Sequence, residues 1–88
     1  MRNIDVVKHF LVKQPASTTH LVSTGDLLFS YNTCIAQWIT GKGLYINTTK
    51  YSRTTSTHTS MLKRNLLFQN VVEVENVPIN TRILIDND

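Results

Sequence analysis

Leu27-Leu28-Phe29-Ser30-Tyr31-Asn32-Thr33-Cys34-Ile35-Ala36-Gln37-Trp38-Ile39-Thr40-Gly41-Lys42-Gly43-Leu44-Tyr45-Ile46-Asn47 is the stretch whose reading decides the fold. In an extended chain Leu27, Phe29, Tyr31, Thr33, Ile35 and Ile39 fall on one side, and Leu28, Ser30, Asn32, Cys34, Ala36 and Trp38 on the other. That period of two is a strand's, and the first set reads as the core face. Thr40-Gly41-Lys42-Gly43 then signals a hairpin. A short Gly-Lys loop pairs Ile39 with Leu44 and Trp38 with Tyr45, and the next strand runs over residues 44–51. Upstream, a Gly25-Asp26 turn sets Val22 opposite Phe29 and His20 opposite Tyr31. Residues 20–51 therefore read as a three-stranded antiparallel meander whose second strand covers 27–40.

Helices are expected on both sides of it. Ile4, Val7, Phe10 and Leu11 recur at helical spacing, with Asn3 placed as N-cap, Asp5 in the first turn and Gln14-Pro15 as the stop. The β-branched Val6 and Val7 leave a strand over 6–12 as the competing reading. After the meander, Ser56 stands as an N-cap. Met61, Leu62, Leu66 and Phe68 make an apolar stripe for a helix over 57–67, with Lys63 and Arg64 turned away. Asn70 closes it. Val72 and Val74 alternate inward in a further strand over 71–75, residues 82–85 can add a short edge strand, and 86–88 form a polar tail. The fold expected is a small single α+β domain over 1–88: helix, three-stranded meander, helix, strand, with the helices on one face of an antiparallel sheet.

Eighty-eight residues bury a small core, and a composition 41 % hydrophobic and 17 % charged is that of a globular chain. A single cysteine, Cys34, allows no intrachain disulfide and no Cys/His metal cluster around it, which suits a reducing cytoplasm. No apolar run approaches the ~20 residues of a bilayer span. Met1-Arg2-Asn3-Ile4-Asp5 lacks the long apolar region and small-residue cleavage site of a signal peptide, so a soluble protein made where it works is expected. No cofactor-binding motif is present.

Charge is unevenly spread. Between residues 27 and 72 there is no acid, while Lys42, Lys50, Arg53, Lys63 and Arg64 all fall there, so the middle is +5 and the rest −2 against +3 overall. Inside that middle lies the hydroxyl-dense run Thr48-Thr49-Lys50-Tyr51-Ser52-Arg53-Thr54-Thr55-Ser56-Thr57-His58-Thr59-Ser60. Free backbone N–H groups at a helix start, flanked by Arg53 and His58 and by hydroxyls, suit an anion such as phosphate. The residues that would carry binding are Lys50, Tyr51, Ser52, Arg53, Thr54, Thr55, Ser56, His58, Lys63 and Arg64. The competing reading is that the hydroxyls only cap and satisfy backbone groups. Catalysis has little support. Cys34 reads as a small buried apolar residue on the face of Ala36 and Trp38, and His9, His20 and His58 are too dispersed in sequence to define the acid/base pair of a metal-independent nuclease. The expectation is a non-enzymatic protein.

Ser30-Tyr31-x-Thr33-x-Ile35-Ala36 followed by Tyr51-Ser52-x-Thr54-Thr55-Ser56-x-His58 resembles a family of small uncharacterised proteins and domains of bacteriophages and some prokaryotes. The resemblance takes in the helix start at Asp5-Val6-Val7 and the Thr24-Gly25-Asp26 turn, over residues 4–66. Thr59 departs from it, since glutamine follows the histidine in that family. What the resemblance implies is a setting: a phage-type accessory protein in the cytoplasm of an infected bacterium. Two functions are then expected. One is recognition of nucleic acid through the basic, Ser/Thr-rich strand-to-helix segment; the alternative is an inhibitor that binds and blocks a host or defence protein complex.

Overall fold

The chain runs α1 (Asn3–Leu11), β1 (Pro15–Ser17), β2 (Leu21–Thr24), β3 (Leu27–Ser30), β4 (Thr33–Ile39), β5 (Gly43–Asn47), α2 (Arg53–Arg64) and β6 (Val71–Val74). The structure is a computed structural model describing residues 1–66 and 70–84. Helix and sheet mix as expected, but among the described residues the sheet has six strands in the order β1-β2-β3-β4-β5-β6. The first five form an antiparallel meander, and β6 lies parallel to β5. Parallel neighbours need a crossover, and α2 supplies it.

The strand expected over 27–40 is two strands. Tyr31 takes φ 58° and the chain reverses at Tyr31-Asn32, pairing Ser30 with Thr33. The alternation of large residues continues through this turn, which hides it; only Asn32 carries turn chemistry. A second expectation fails by one residue. Ile39 pairs with Gly43, Trp38 with Leu44 and Gln37 with Tyr45, because the loop is Thr40-Gly41-Lys42 and Gly43 already belongs to β5. A slip of one residue exchanges faces. Gly43 also has a steric reason to be glycine: its φ is 102°, and a Cβ there would sit 2.5 Å from the Asn70 carbonyl oxygen. The Val22–Phe29 pairing stands as expected, and the rings of His20 and Tyr31 pack at 4.9 Å. β1 was not foreseen; its proline opens an edge strand, where a missing N–H costs least.

Both helices cover one face. Val6, Val7 and Phe10 of α1 and Leu62 of α2 close over Leu21, Leu28, Ala36, Leu44 and Ile46, all fully buried. The core face of 27–40 is therefore the set containing Leu28 and Ala36, not the one containing Leu27 and Phe29. Ile35 joins Ala36 in the same cluster because the register shifts at Leu28/Phe29. Trp38 is held by α1: its indole N–H donates to the Phe10 carbonyl at 2.8 Å, and Lys13 lies over its ring. At the start of α1 the Arg2 amide N–H donates to Asp5 at 3.1 Å. Asn3, expected as the cap, is the first helical residue instead.

Segment 78–84 crosses the opposite side of β3 and β4. The Cys34 amide donates to the Thr81 carbonyl, the Asn80 amide to Thr33 Oγ1, and the Leu84 amide to Gln37 Oε1. Residues 82–84 are thus not an edge strand; Ile85 and Phe68 lie outside the described residues. Val72, expected inward, is exposed, as β6 is the last strand of the sheet. No helix among the described residues is long and apolar enough to cross a membrane.

Candidate functional site

The hydroxyl run does not end at a helix start; most of it is wound into the helix. Ser52 is the N-cap, its Oγ accepting from the Thr55 amide at 3.2 Å, so α2 begins one turn before the expected position. Ser56, read as the cap, lies inside the helix, and its amide donates to the Ser52 carbonyl at 3.0 Å. A residue with the same capping chemistry stands four positions upstream, and Thr54 and Thr55 do not prevent the earlier start. Winding 53–64 into a helix divides the run by its 3.6-residue period into two faces.

The inward face carries Thr55, His58 and Leu62. His58 Nδ1 lies 2.7 Å from Ser30 Oγ, which lies 3.2 Å from Thr55 Oγ1. On its other side His58 Nε2 lies 3.3 Å from Asn3 Nδ2, and Thr18 Oγ1 donates to Asn3 Oδ1 at 2.6 Å. Thr18 Oγ1 accepts from the Leu21 amide, so its own proton goes to Asn3 Oδ1; the Asn3 amide then donates to His58 Nε2, and Nδ1–H donates to Ser30. His58 is a neutral imidazole with both nitrogens satisfied. Burial lowers its pKa below the ordinary histidine value, and the neighbouring His20 adds to the shift. Ser30 and His58 have a nucleophile's and a base's spacing, yet Nδ1 donates rather than accepts and Ser30 is 1 % exposed. The two halves of the Ser30…His58 sequence pattern meet here, as the polar seam between β3, α2 and the N-terminus of α1.

The outward face carries the charge. Arg53, Ser56, Thr57, Ser60, Lys63 and Arg64 share a broad open surface of α2. Beside it Thr48, Thr49 and Lys50, from the connection that follows β5, meet Ser56, Thr59, Ser60 and Lys63 across a cleft of about 180 Å³. Three of the cleft's hydroxyls are engaged: Thr48 donates to the Val74 carbonyl, Thr49 accepts from the Val77 amide, and Thr59 donates to the Thr55 carbonyl. Ser56 and Ser60 have no such partner among the described residues. Lys63 pairs with Glu73 of β6 at 2.6 Å, both groups half exposed.

Of the ten residues that sequence reasoning selected, Lys50, Arg53, Ser56, Lys63 and Arg64 therefore gather at one surface. Thr54 is exposed near the helix start, and Ser52 caps it. Tyr51 is half-buried, accepting from Asn47 Nδ2 at 2.9 Å and donating to the Val77 carbonyl. Thr55 and His58 are buried away from that surface. Thr59 and Ser60 were passed over, although spacings of three and four from Ser56 mark them as its helical neighbours. Glu73 carried no signal, being distant in sequence, and Ser30 was marked only as the first residue of the family pattern.

Cys34 is buried, donates to the Ala36 carbonyl at 3.2 Å, and has its thiol pKa pushed up to about 11 by that burial. It pairs with Phe29 across the ladder rather than following Ala36 and Trp38, because of the register shift. Among the described residues no group of His, Cys, Asp and Glu is placed to hold a metal ion. No curated protein and no solved structure matches the chain. Residues 4–74 match the family of unknown function DUF8033, and the chain belongs to that family.

Proposed function

We propose that this protein is a non-enzymatic binding module that takes an anionic partner, nucleic acid foremost, on the outward face of α2 and the cleft beside it. One observation carries this reading: the cations Lys50, Arg53 and Arg64, with Lys63 paired to Glu73, and the unengaged hydroxyls of Ser56 and Ser60 line one continuous surface to which α2 contributes no acid. Ammonium and guanidinium groups neutralise phosphates and release their counterions, and serine hydroxyls donate to phosphate oxygens. Its buried histidine belongs to the fold rather than to this surface. The setting we propose is that of a phage-type accessory protein in an infected bacterium.

Fluorescence anisotropy with mixed-sequence DNA and RNA across a salt series tests it. Affinity is expected to fall steeply with salt, and Lys50→Ala, Arg53→Ala or Arg64→Ala each to reduce the slope by about one unit. No binding at low salt overturns nucleic acid as the partner. A second reading, docking on a host or defence protein, is favoured by β6, a terminal strand exposing Val71 and Val72. In that case capture of the partner survives nuclease treatment and is lost in Val72→Lys.

A further inference from the structure

A pocket away from α2 has ligand-binding chemistry of its own. Val22 and Thr24 of β2, Phe29 of β3, Tyr31 and Asn32 of the following turn, and Arg82 of the C-terminal segment line a depression of about 190 Å³. Its lining combines two aromatic rings with one cation. The Arg82 guanidinium lies 5.1 Å from the centre of the Phe29 ring, and no carboxylate among the described residues pairs with it. A guanidinium in cation–π contact with a ring still has N–H donors to offer an oxyanion.

Tyr31 is the second element of the pocket. It is 48 % exposed, yet its ring is braced by His20, centre to centre 4.9 Å, and lies 6.5 Å from that of His58. Its backbone has φ 58°, a region where a bulky side chain is uncommon and Gly or Asn sits more easily. The fold thus places a half-exposed aromatic ring, packed against His20, at a turn tip. Next to it the Asn32 carboxamide has no hydrogen-bond partner among the described residues and offers both donor and acceptor.

We propose that this pocket binds a nucleotide, with the base against Tyr31, its edge met by Asn32, and the phosphate taken by Arg82. Stacking on an aromatic suits any base, a carboxamide can pair with a base edge, and a guanidinium forks onto phosphate oxygens. The nucleotide can come free or as an unpaired residue of a strand. The pocket contains no residue of α2, so it stands or fails independently of the basic face.

Titration of the isotope-labelled full chain tests this, following the amides of Val22, Phe29 and Asn32 with four probes: a nucleoside 5′-monophosphate, the nucleoside alone, inorganic phosphate, and a short unpaired oligonucleotide. The monophosphate or the oligonucleotide is expected to shift these amides more strongly than nucleoside or phosphate alone. A response to the oligonucleotide only identifies the strand as the source; a response to the monophosphate identifies the free nucleotide. Tyr31→Asn, compatible with the turn, and Arg82→Gln, at an exposed side chain, are each expected to weaken binding about tenfold. Should Tyr31→Asn fail to fold, Arg82→Gln alone decides. No shift with either nucleotide probe, equal shifts with phosphate alone, or shifts retained in the folded variants overturn the proposal.

Discussion

His58 shows how a single side chain can join distant parts of a small chain. It is neutral, it donates to Ser30, and it accepts from Asn3, so α2, β3 and α1 meet at one imidazole. Its pKa is lowered by folding, while the unfolded chain takes up the proton near the ordinary value of about 6.5. Below that value the unfolded state binds more protons. Stability is therefore complete above about pH 6.5 and declines as pH falls through the lowered value. Chemical denaturation across this range should show the decline, and His58→Gln should remove this contribution to it. Ser30→Ala, which leaves Nδ1–H without its acceptor, should cost about 1–3 kcal/mol at neutral pH. Gly43 makes a second residue-level test. Gly43→Ala meets the Asn70 carbonyl at 2.5 Å as well as a positive φ, whereas Gly41→Ala, also at positive φ, meets nothing within 4 Å. The first should lower the denaturation midpoint clearly more than the second.

For α2 as an element, the cap and the surface separate cleanly. Ser52→Ala should destabilise by about 0.5–2 kcal/mol and Ser52→Asp should largely restore the loss, whereas Ser56→Ala should stay within about 0.5 kcal/mol. Equal losses at the two serines would place the helix start elsewhere. The misplaced cap has a physical origin: Ser52 and Ser56 offer the same hydroxyl, and only the burial of Thr55 and His58, decided by distant Ser30, shows which one begins the helix. Tyr31 misled in the same way, because an aromatic at positive φ is what turn chemistry argues against. Gly25-Asp26 was legible, as a turn carrying its proper residues between two apolar runs. So were the cations at the candidate surface, since the stretch that supplies them holds no acid of its own, although folding sets Glu73 against Lys63. Their sorting from buried Thr55 and His58 was not legible, because it depends on where the helix begins.

At the scale of the whole molecule, Leu62 is the residue through which α2 enters the common core, and Leu62→Ala should cost roughly 2–5 kcal/mol in denaturant unfolding. Retention of full stability would mean that α2 is not anchored by this contact. The strand order has a further consequence. Five strands lie side by side in the order of the chain, so each hairpin closes a short loop, and early assembly meets little entropic resistance. β6 alone has to wait for a helix to be laid down before it finds its place, with one neighbour and an exposed outer flank. Hydrogen exchange should accordingly find its amides opening well before those of β4. Glu73, the carboxylate paired with Lys63, rides on this strand, so release of the β6 edge would leave Lys63 without its counter-charge and make the cleft more positive.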